Sequence, residues 1–181
     1  MEKLIITGGK KLGGEISVHG SKNAVLPIMA SALLIKGETV LHNVPNLSDV
    51  EASANILRRL GARVERKAST LIIDASSVTG NTIPEEMMRE MRSSIIFLGS
   101  LLSRCGEAWL CPPGGCDIGI RPIDLHISSL KKLGAQITEN GNCICCRALK
   151  LRGAKVFLSF PSVGATENII LAAVCASGKT T

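Results

Sequence analysis

Apolar positions along the chain follow two patterns that alternate in a fixed order. Residues 22–35, 93–103 and 164–176 are apolar on nearly every side, which predicts helices buried all round rather than along one stripe. Residues 49–60 and 124–133 instead turn charged positions such as Arg58, Arg59, Lys131 and Lys132 to one side, the mark of amphipathic helices. Short strands are predicted at 39–42 and 108–111, after the first two buried helices. Strand pairs are predicted at 63–67 with 71–74 and at 136–139 with 143–147. Ala68-Ser69 and Asn140-Gly141 read as the hairpin turns between them. An opening strand is predicted at 15–18 and again at 155–159.

These elements repeat. Leu60-Gly61-Ala62 recurs as Leu133-Gly134-Ala135, about 70 residues on. Gly37-Glu38 recurs as Gly106-Glu107, and Gly178 follows at a similar step. Each of these glycines ends an apolar helical stretch, where a cap with positive φ is expected. The unit is βαβαββ, present in two complete copies with the opening of a third. The expected fold is therefore α/β. A repeat array that shares one core closes only with its last copy, so the chain reads as cut short.

Composition sharpens the picture. The chain has 181 residues, 45% hydrophobic and 20% charged, which excludes a disordered polypeptide. Aromatic residues make up 2%, so Ile, Leu, Val, Ala and Met must build the core. The longest apolar stretch, residues 24–35, contains Pro27 and Ser31 and falls short of the roughly 20 residues of a membrane span. The N-terminus lacks the basic head and apolar run of a secretory signal, so a cytoplasmic location without membrane partners is expected. Seven cysteines are then expected to be reduced thiols. A net charge of +6 suits anionic small molecules and also weak nucleic-acid contact. The scarcity of aromatic stacking platforms argues against nucleic acid.

Candidate chemistry gathers at element starts. Gly20-Ser21-Lys22-Asn23 opens the first buried helix, where free N–H groups favour an anion and Lys22 adds a point charge. The alternative is an ordinary capped helix with an exposed lysine. Arg92 holds the repeat position of Lys22, which suggests positive charge converging near the repeat axis. Cys111-Pro112-Pro113-Gly114-Gly115-Cys116-Asp117-Ile118-Gly119 is longer than its counterpart at residues 43–47, as functional insertions are. A thiol exposed there, Cys116, is suited to general acid, base or nucleophile chemistry. It is expected to be the most reactive cysteine, followed by Cys111; the alternative is a glycine turn with an incidental cysteine. Arg121-Pro122-Ile123-Asp124-Leu125-His126 opens the second amphipathic helix. There Arg121 can fork onto a phosphate or carboxylate and Asp124 can accept from a hydroxyl or base edge, while His126 reads as a half-buried surface histidine. Cys143, Cys145 and Cys146 lack a second pair to complete four ligands, so no metal is expected, and no cofactor motif is present.

Together these motifs, with Met91-Arg92-Ser93-Ser94 and Pro161-Ser162-Val163-Gly164-Ala165-Thr166-Glu167, resemble the UDP-N-acetylglucosamine enolpyruvyl transferase family in order along the whole chain. The resemblance implies an inside-out α/β barrel of βαβαββ repeats, here two complete repeats and the start of a third. Residues 1–21 would form a strand of a second domain plus a lead-in, and residues 22–181 an incomplete three-repeat domain. It implies transfer of the enolpyruvyl group of phosphoenolpyruvate to the 3-hydroxyl of UDP-N-acetylglucosamine, the first committed step of peptidoglycan synthesis. Lys22 and Asn23 would grip phosphoenolpyruvate, Cys116 would protonate its methylene carbon, and Arg92 and Arg121 would balance ligand charge. Arg121, Pro122, Ile123, Asp124, Leu125, Ser162 and Val163 would hold the nucleotide. The second domain would supply the Asp that takes the sugar hydroxyl proton, further arginines and the opposite wall of the cleft. The alternatives are an enolpyruvylshikimate-phosphate synthase-like enzyme, an inactive fragment that only binds nucleotide sugar, and, last, a nucleic-acid protein built on related repeats.

Overall fold

The computed structural model describes residues 3–111, 122–141 and 143–181. The first complete unit runs through α1 (Lys22–Ser31), β1 (Glu38–Leu41), α2 (Ser48–Arg59), β2 (Arg63–Lys67) and β3 (Thr70–Asp74). The second comprises β4 (Thr82–Ile83), α3 (Glu85–Glu90), α4 (Phe97–Cys105), β5 (Glu107–Leu110), α5 (Asp124–Lys132), β6 (Gln136–Asn140) and β7 (Cys143–Arg147). Short 3-10 turns extend α1 over Ala32–Leu34 and precede α4 over Arg92–Ile96. The opening of the third unit supplies α6 (Val163–Ala173).

Local chemistry explains these boundaries. In α2, Asp49 and Glu51 occupy the first turn and Arg58 and Arg59 the last, matching the helix dipole at both ends. Asp124 and Lys131 with Lys132 do the same for α5. Both amphipathic helices stop at the repeated glycines: Gly61 has φ 102° and Gly134 φ 95°, a conformation that side chains with a Cβ resist. Gly106 and Gly178 also take positive φ, at 72° and 93°, whereas Gly37 does not, so only two of the three predicted helix-ending glycines need that freedom.

The sheets show the repeat directly. One is antiparallel in the order β1-β3-β2; the other has the order β4-β5-β7-β6. β1-β3-β2 corresponds to β5-β7-β6, and the second sheet carries one more strand, β4, parallel to β5 with Thr82 opposite Trp109. At two residues β4 is too short to show alternation in sequence. Its equivalent in the first unit would be residues 15–18, which form no strand: Ile16 and Val18 stand 92% and 84% exposed. Residues 155–159 form none either, although Val156 N–H donates to the Thr181 carbonyl (2.7 Å). An isolated segment lacks the paired neighbour that a strand requires. The second hairpin pairs Asn140 with Cys143, so its turn sits one residue later than predicted.

The helices of all three units share one core. Met29, Leu33, Ile56, Leu57, Leu60, Leu71, Ile73, Phe97 and Leu98 are fully buried in it. Only α4 is buried all round, from Phe97 through Leu102. It packs against α6 on one side and against α1 and the 32–34 turn on another. The flanking helices keep an open side: Ile28 of α1 is 45% exposed, and Ile170 of α6 is 56% exposed. Burial all round thus holds for one of the three helices predicted to have it.

Candidate functional site

The starts of α5 and α6 meet at one place. Ser162 caps α6, its Oγ accepting from the Ala165 N–H (3.3 Å), while the Thr166 hydroxyl donates to the Ser162 carbonyl (2.8 Å). Val163 follows and is exposed. At α5, Ile123 packs partly buried against the core, Leu125 is half-buried, and Pro122 and Asp124 are exposed. α5 and α6 are in contact, and the buried His126 ring lies beside Gly164: a Cβ there would stand 3.7 Å from its Cε1. Arg92 opens the turn that packs against α6. Burial holds the His126 imidazole below its ordinary pKa of 6.5, the Arg92 charge lowers it further, and Asp124 opposes them. Pro122, Ile123, Asp124, Leu125, Ser162, Val163 and Arg92 therefore belong to one neighbourhood. His126 is buried within it, not half-buried at the surface as predicted.

Lys22 sits in the first turn of α1. Its Nζ forms an ion pair with Asp49 Oδ2 of α2 at 2.8 Å, and Asn23 is exposed beside it. Ser21 is extended before the helix but makes no side-chain cap bond. Gly20 is fixed by close packing, since a Cβ would lie 2.0 Å from the Asn43 carbonyl oxygen. A cavity of about 230 Å3 opens next to this start, between α1 and residues 40–45. The 92–96 turn also touches α1. An anion bound here would compete with the Asp49 carboxylate for Lys22, which lets the lysine be held in place before a ligand arrives.

Cys116 and Arg121 lie outside the described residues. The cysteines that are described correct the expectation of reduced thiols throughout: Cys111 and Cys143 form a disulfide. They are opposite each other just beyond the Leu110–Ile144 pair of β5 and β7, which brings the two sulfurs together across the strands. Cys111 is accordingly not the second most reactive thiol. Cys105 and Cys175 are free and exposed, while Cys145 and Cys146 are buried. Burial pushes the Cys146 thiol up to about 12.

A second polar cluster on the β5–β7 sheet was not singled out in the sequence. Glu107 accepts from Arg147 Nε (2.8 Å) and Trp109 Nε1 (2.6 Å), and these donors hold its carboxyl below the usual range. A cavity of about 660 Å3 adjoins it, lined in part by Gly106, Gln136, Lys150 and Arg152. None of the sequence-predicted site residues that are described lines that cavity.

Two βαβαββ units and the opening of a third, their helices packed in one core, form the fold of the enolpyruvyl transferases. The enolpyruvyl transferase NikO from Streptomyces tendae superimposes on 96% of this chain and 41% of its own, with a TM-score of 0.80 at 19% identity. EPSP synthase from Acinetobacter baumannii superimposes on 92% of this chain and 40% of its own, with a TM-score of 0.74 at 21% identity. The chain belongs to the EPSP synthase (3-phosphoshikimate 1-carboxyvinyltransferase) family, whose sequence model matches residues 6–181. It is 48% identical over 180 residues to UDP-N-acetylglucosamine 1-carboxyvinyltransferase 2 of Caldanaerobacter subterraneus subsp. tengcongensis. It is also 48% identical, over 185 residues, to UDP-N-acetylglucosamine 1-carboxyvinyltransferase 1 of Symbiobacterium thermophilum. Each match takes in 99% of this chain, which spans 43% and 42% of the respective relatives. No helix among the described residues is long and apolar enough to cross a membrane.

Proposed function

We propose that this chain is the N-terminal part of a cytoplasmic enzyme that transfers the enolpyruvyl group of phosphoenolpyruvate to the 3-hydroxyl of UDP-N-acetylglucosamine. That reaction opens peptidoglycan synthesis. The observation that carries the choice of acceptor is the 48% identity across 99% of the chain to two transferases named for that substrate. In this reading Pro122, Ile123, Asp124 and Leu125 at the start of α5 and Ser162 and Val163 at the start of α6 hold the nucleotide, with Arg121. Lys22 and Asn23 grip phosphoenolpyruvate, and Arg92 and Arg121 balance the charge of the ligands. Cys116 gives its proton to the methylene carbon of phosphoenolpyruvate while the sugar oxygen bonds to the adjacent carbon and passes its hydroxyl proton to the Asp expected from the second domain. Phosphate then leaves as the new methyl group returns a proton, restoring the double bond.

Residues 1–21 are assigned to a strand of a second domain with its lead-in, and residues 22–181 to an incomplete three-repeat domain. The exposed, unpaired run from Leu4 to Val18 supports that division. On this reading the isolated chain lacks one wall of the cleft, and with it the water exclusion and alignment that the transfer needs. The 181 residues alone then turn over at background and at most bind nucleotide sugar. A chimera tests the assignment: this chain replaces the matching N-terminal part of the Caldanaerobacter relative, and phosphate release is followed. Release that needs UDP-N-acetylglucosamine and is lost in Lys22→Ala and Cys116→Ala is expected. Release that needs shikimate 3-phosphate instead would assign the chain to the other branch of the family.

A further inference from the structure

Asn168 is fully buried in α6, yet every polar atom of its side chain is used. Its Oδ1 accepts from the Gly99 N–H of α4 (2.6 Å), and its Nδ2 donates to the Ile95 carbonyl (3.1 Å) and to Nδ1 of His126 in α5 (2.9 Å). One amide therefore joins the turn that starts with Arg92, the central helix α4, and the helix that Pro122–Leu125 opens. We propose that Asn168 is a positioning residue: its amide fixes the tautomer and orientation of His126 and so holds the start of α5 against the start of α6. The proposal rests on the reading of these starts as the nucleotide side of the site.

The chemistry runs in one direction. An amide Nδ2 has only protons to offer, so the His126 nitrogen facing it must present a lone pair, and the ring proton of neutral His126 resides on Nε2. Protonating Nδ1 would set two donors against each other within a buried site. Of the groups around the ring, Arg92 from the 92–96 turn disfavours a second positive charge, Asp124 from α5 itself favours one, and α6 contributes the neutral Asn168. Gly164 leaves the Cε1–Nε2 edge of the ring adjacent to the start of α6. A ring turned over by rotation would lose the Asn168 bond, so orientation and tautomer are set together.

Nitrogen-15 NMR of the histidine side chains, on the full chain, reads this without any ligand. At pH 7 His126 is expected as a single tautomer protonated at Nε2. Asn168→Asp replaces the donor with an acceptor, and the proton is expected to appear on Nδ1. Asn168→Ala, which adds no buried charge, is expected to give mixed tautomers and serves if the aspartate variant fails to fold. A mixed or Nδ1-protonated ring in the unaltered chain, or an unchanged tautomer in a folded variant, overturns the proposal. In the chimera, the variant should also weaken UDP-N-acetylglucosamine by roughly tenfold or more, the loss expected for a misplaced buried hydrogen bond. Unchanged affinity in a variant with a shifted tautomer likewise overturns it. If the unaltered chimera fails to bind the sugar nucleotide, the functional reading falls, and the tautomer result still decides the role of the amide.

Discussion

Replacing Gly99 by Ala tests how tightly the buried centre is packed. Gly99 lies inside α4, where alanine is the better helix former by about 1 kcal/mol, so propensity alone predicts a more stable chain. The structure predicts the opposite. A Cβ at this position would stand 2.2 Å from the Asn168 carbonyl oxygen, 2.6 Å from its Oδ1 and 3.1 Å from the Ala172 nitrogen. Two of these atoms are backbone of α6 and cannot swing away. Ordinary contact begins near 3.4 Å, so the helices must part by about 1 Å, more than a packed core absorbs without loss. Overpacking of this kind costs about 1–3 kcal/mol, and weakening the Gly99–Asn168 hydrogen bond adds roughly 1–2 kcal/mol. Against the propensity gain, a net loss of about 1–4 kcal/mol remains, or a fall in Tm of roughly 2–16 °C for a chain of this size. Thermal unfolding followed by circular dichroism measures it, with Gly8→Ala, which meets nothing within 4 Å, as the neutral control. An unchanged or raised Tm for Gly99→Ala would refute the close approach of α4 and α6.

Three further outcomes are expected. Because His126 is held below its ordinary pKa of 6.5, the unfolded chain binds its proton first as pH falls. His126 therefore contributes stability that is complete above about pH 6.5 and is lost as pH drops through the lower folded value. His126→Gln should flatten that part of the profile in denaturant titrations, and an identical slope below pH 6.5 would contradict the burial of the ring. Limiting iodoacetamide followed by peptide mass mapping should label Cys175 and Cys105 before the buried Cys145 and Cys146, and should spare Cys111 and Cys143 until reductant is added. Early labelling of Cys111 without reductant would remove the disulfide from the account. Val163, Ile170 and Val174 stand 76%, 56% and 65% exposed on and just beyond α6, so a hydrophobic dye should bind the 181-residue chain, which should self-associate. A monodisperse monomer that ignores the dye would show that this face is covered.

The repeat was legible because its cues are local. Charge placed at both ends of α2 and α5, the apolar run of β3, and the Leu-Gly-Ala helix endings all survive in the sequence as short patterns. What escaped it depends on neighbours. β4 exists only because β5 offers it an edge, and residues 15–18 carry strand-like alternation without one. α1, α4 and α6 look equally apolar, but only the middle one has neighbours on every side. The site shows the same division. Pro122–Leu125 and Ser162–Val163 are visible as helix starts, whereas Asn168 is one polar residue in an apolar helix. Its importance appears only when Gly99, Ile95 and His126 converge on it from other helices. An asparagine inside so apolar a helix was the available signal, because a buried amide must find partners. The disulfide was missed for a related reason: compartment was read from the N-terminus, while the pairing of Cys111 with Cys143 follows from strand register.

In the proposed function, the starts of α5 and α6, with the turn opened by Arg92, form the nucleotide side of an enolpyruvyl transfer site. Titrating UDP-N-acetylglucosamine into nitrogen-15-labelled chain and mapping the amide shifts tests it most directly. Saturable shifts concentrated in residues 92–96, 123–127 and 162–168 are expected, with shikimate 3-phosphate producing none of them. Shifts centred on Gly106, Lys150 and Arg152 around the larger cavity, or equal responses to both ligands, would contradict it.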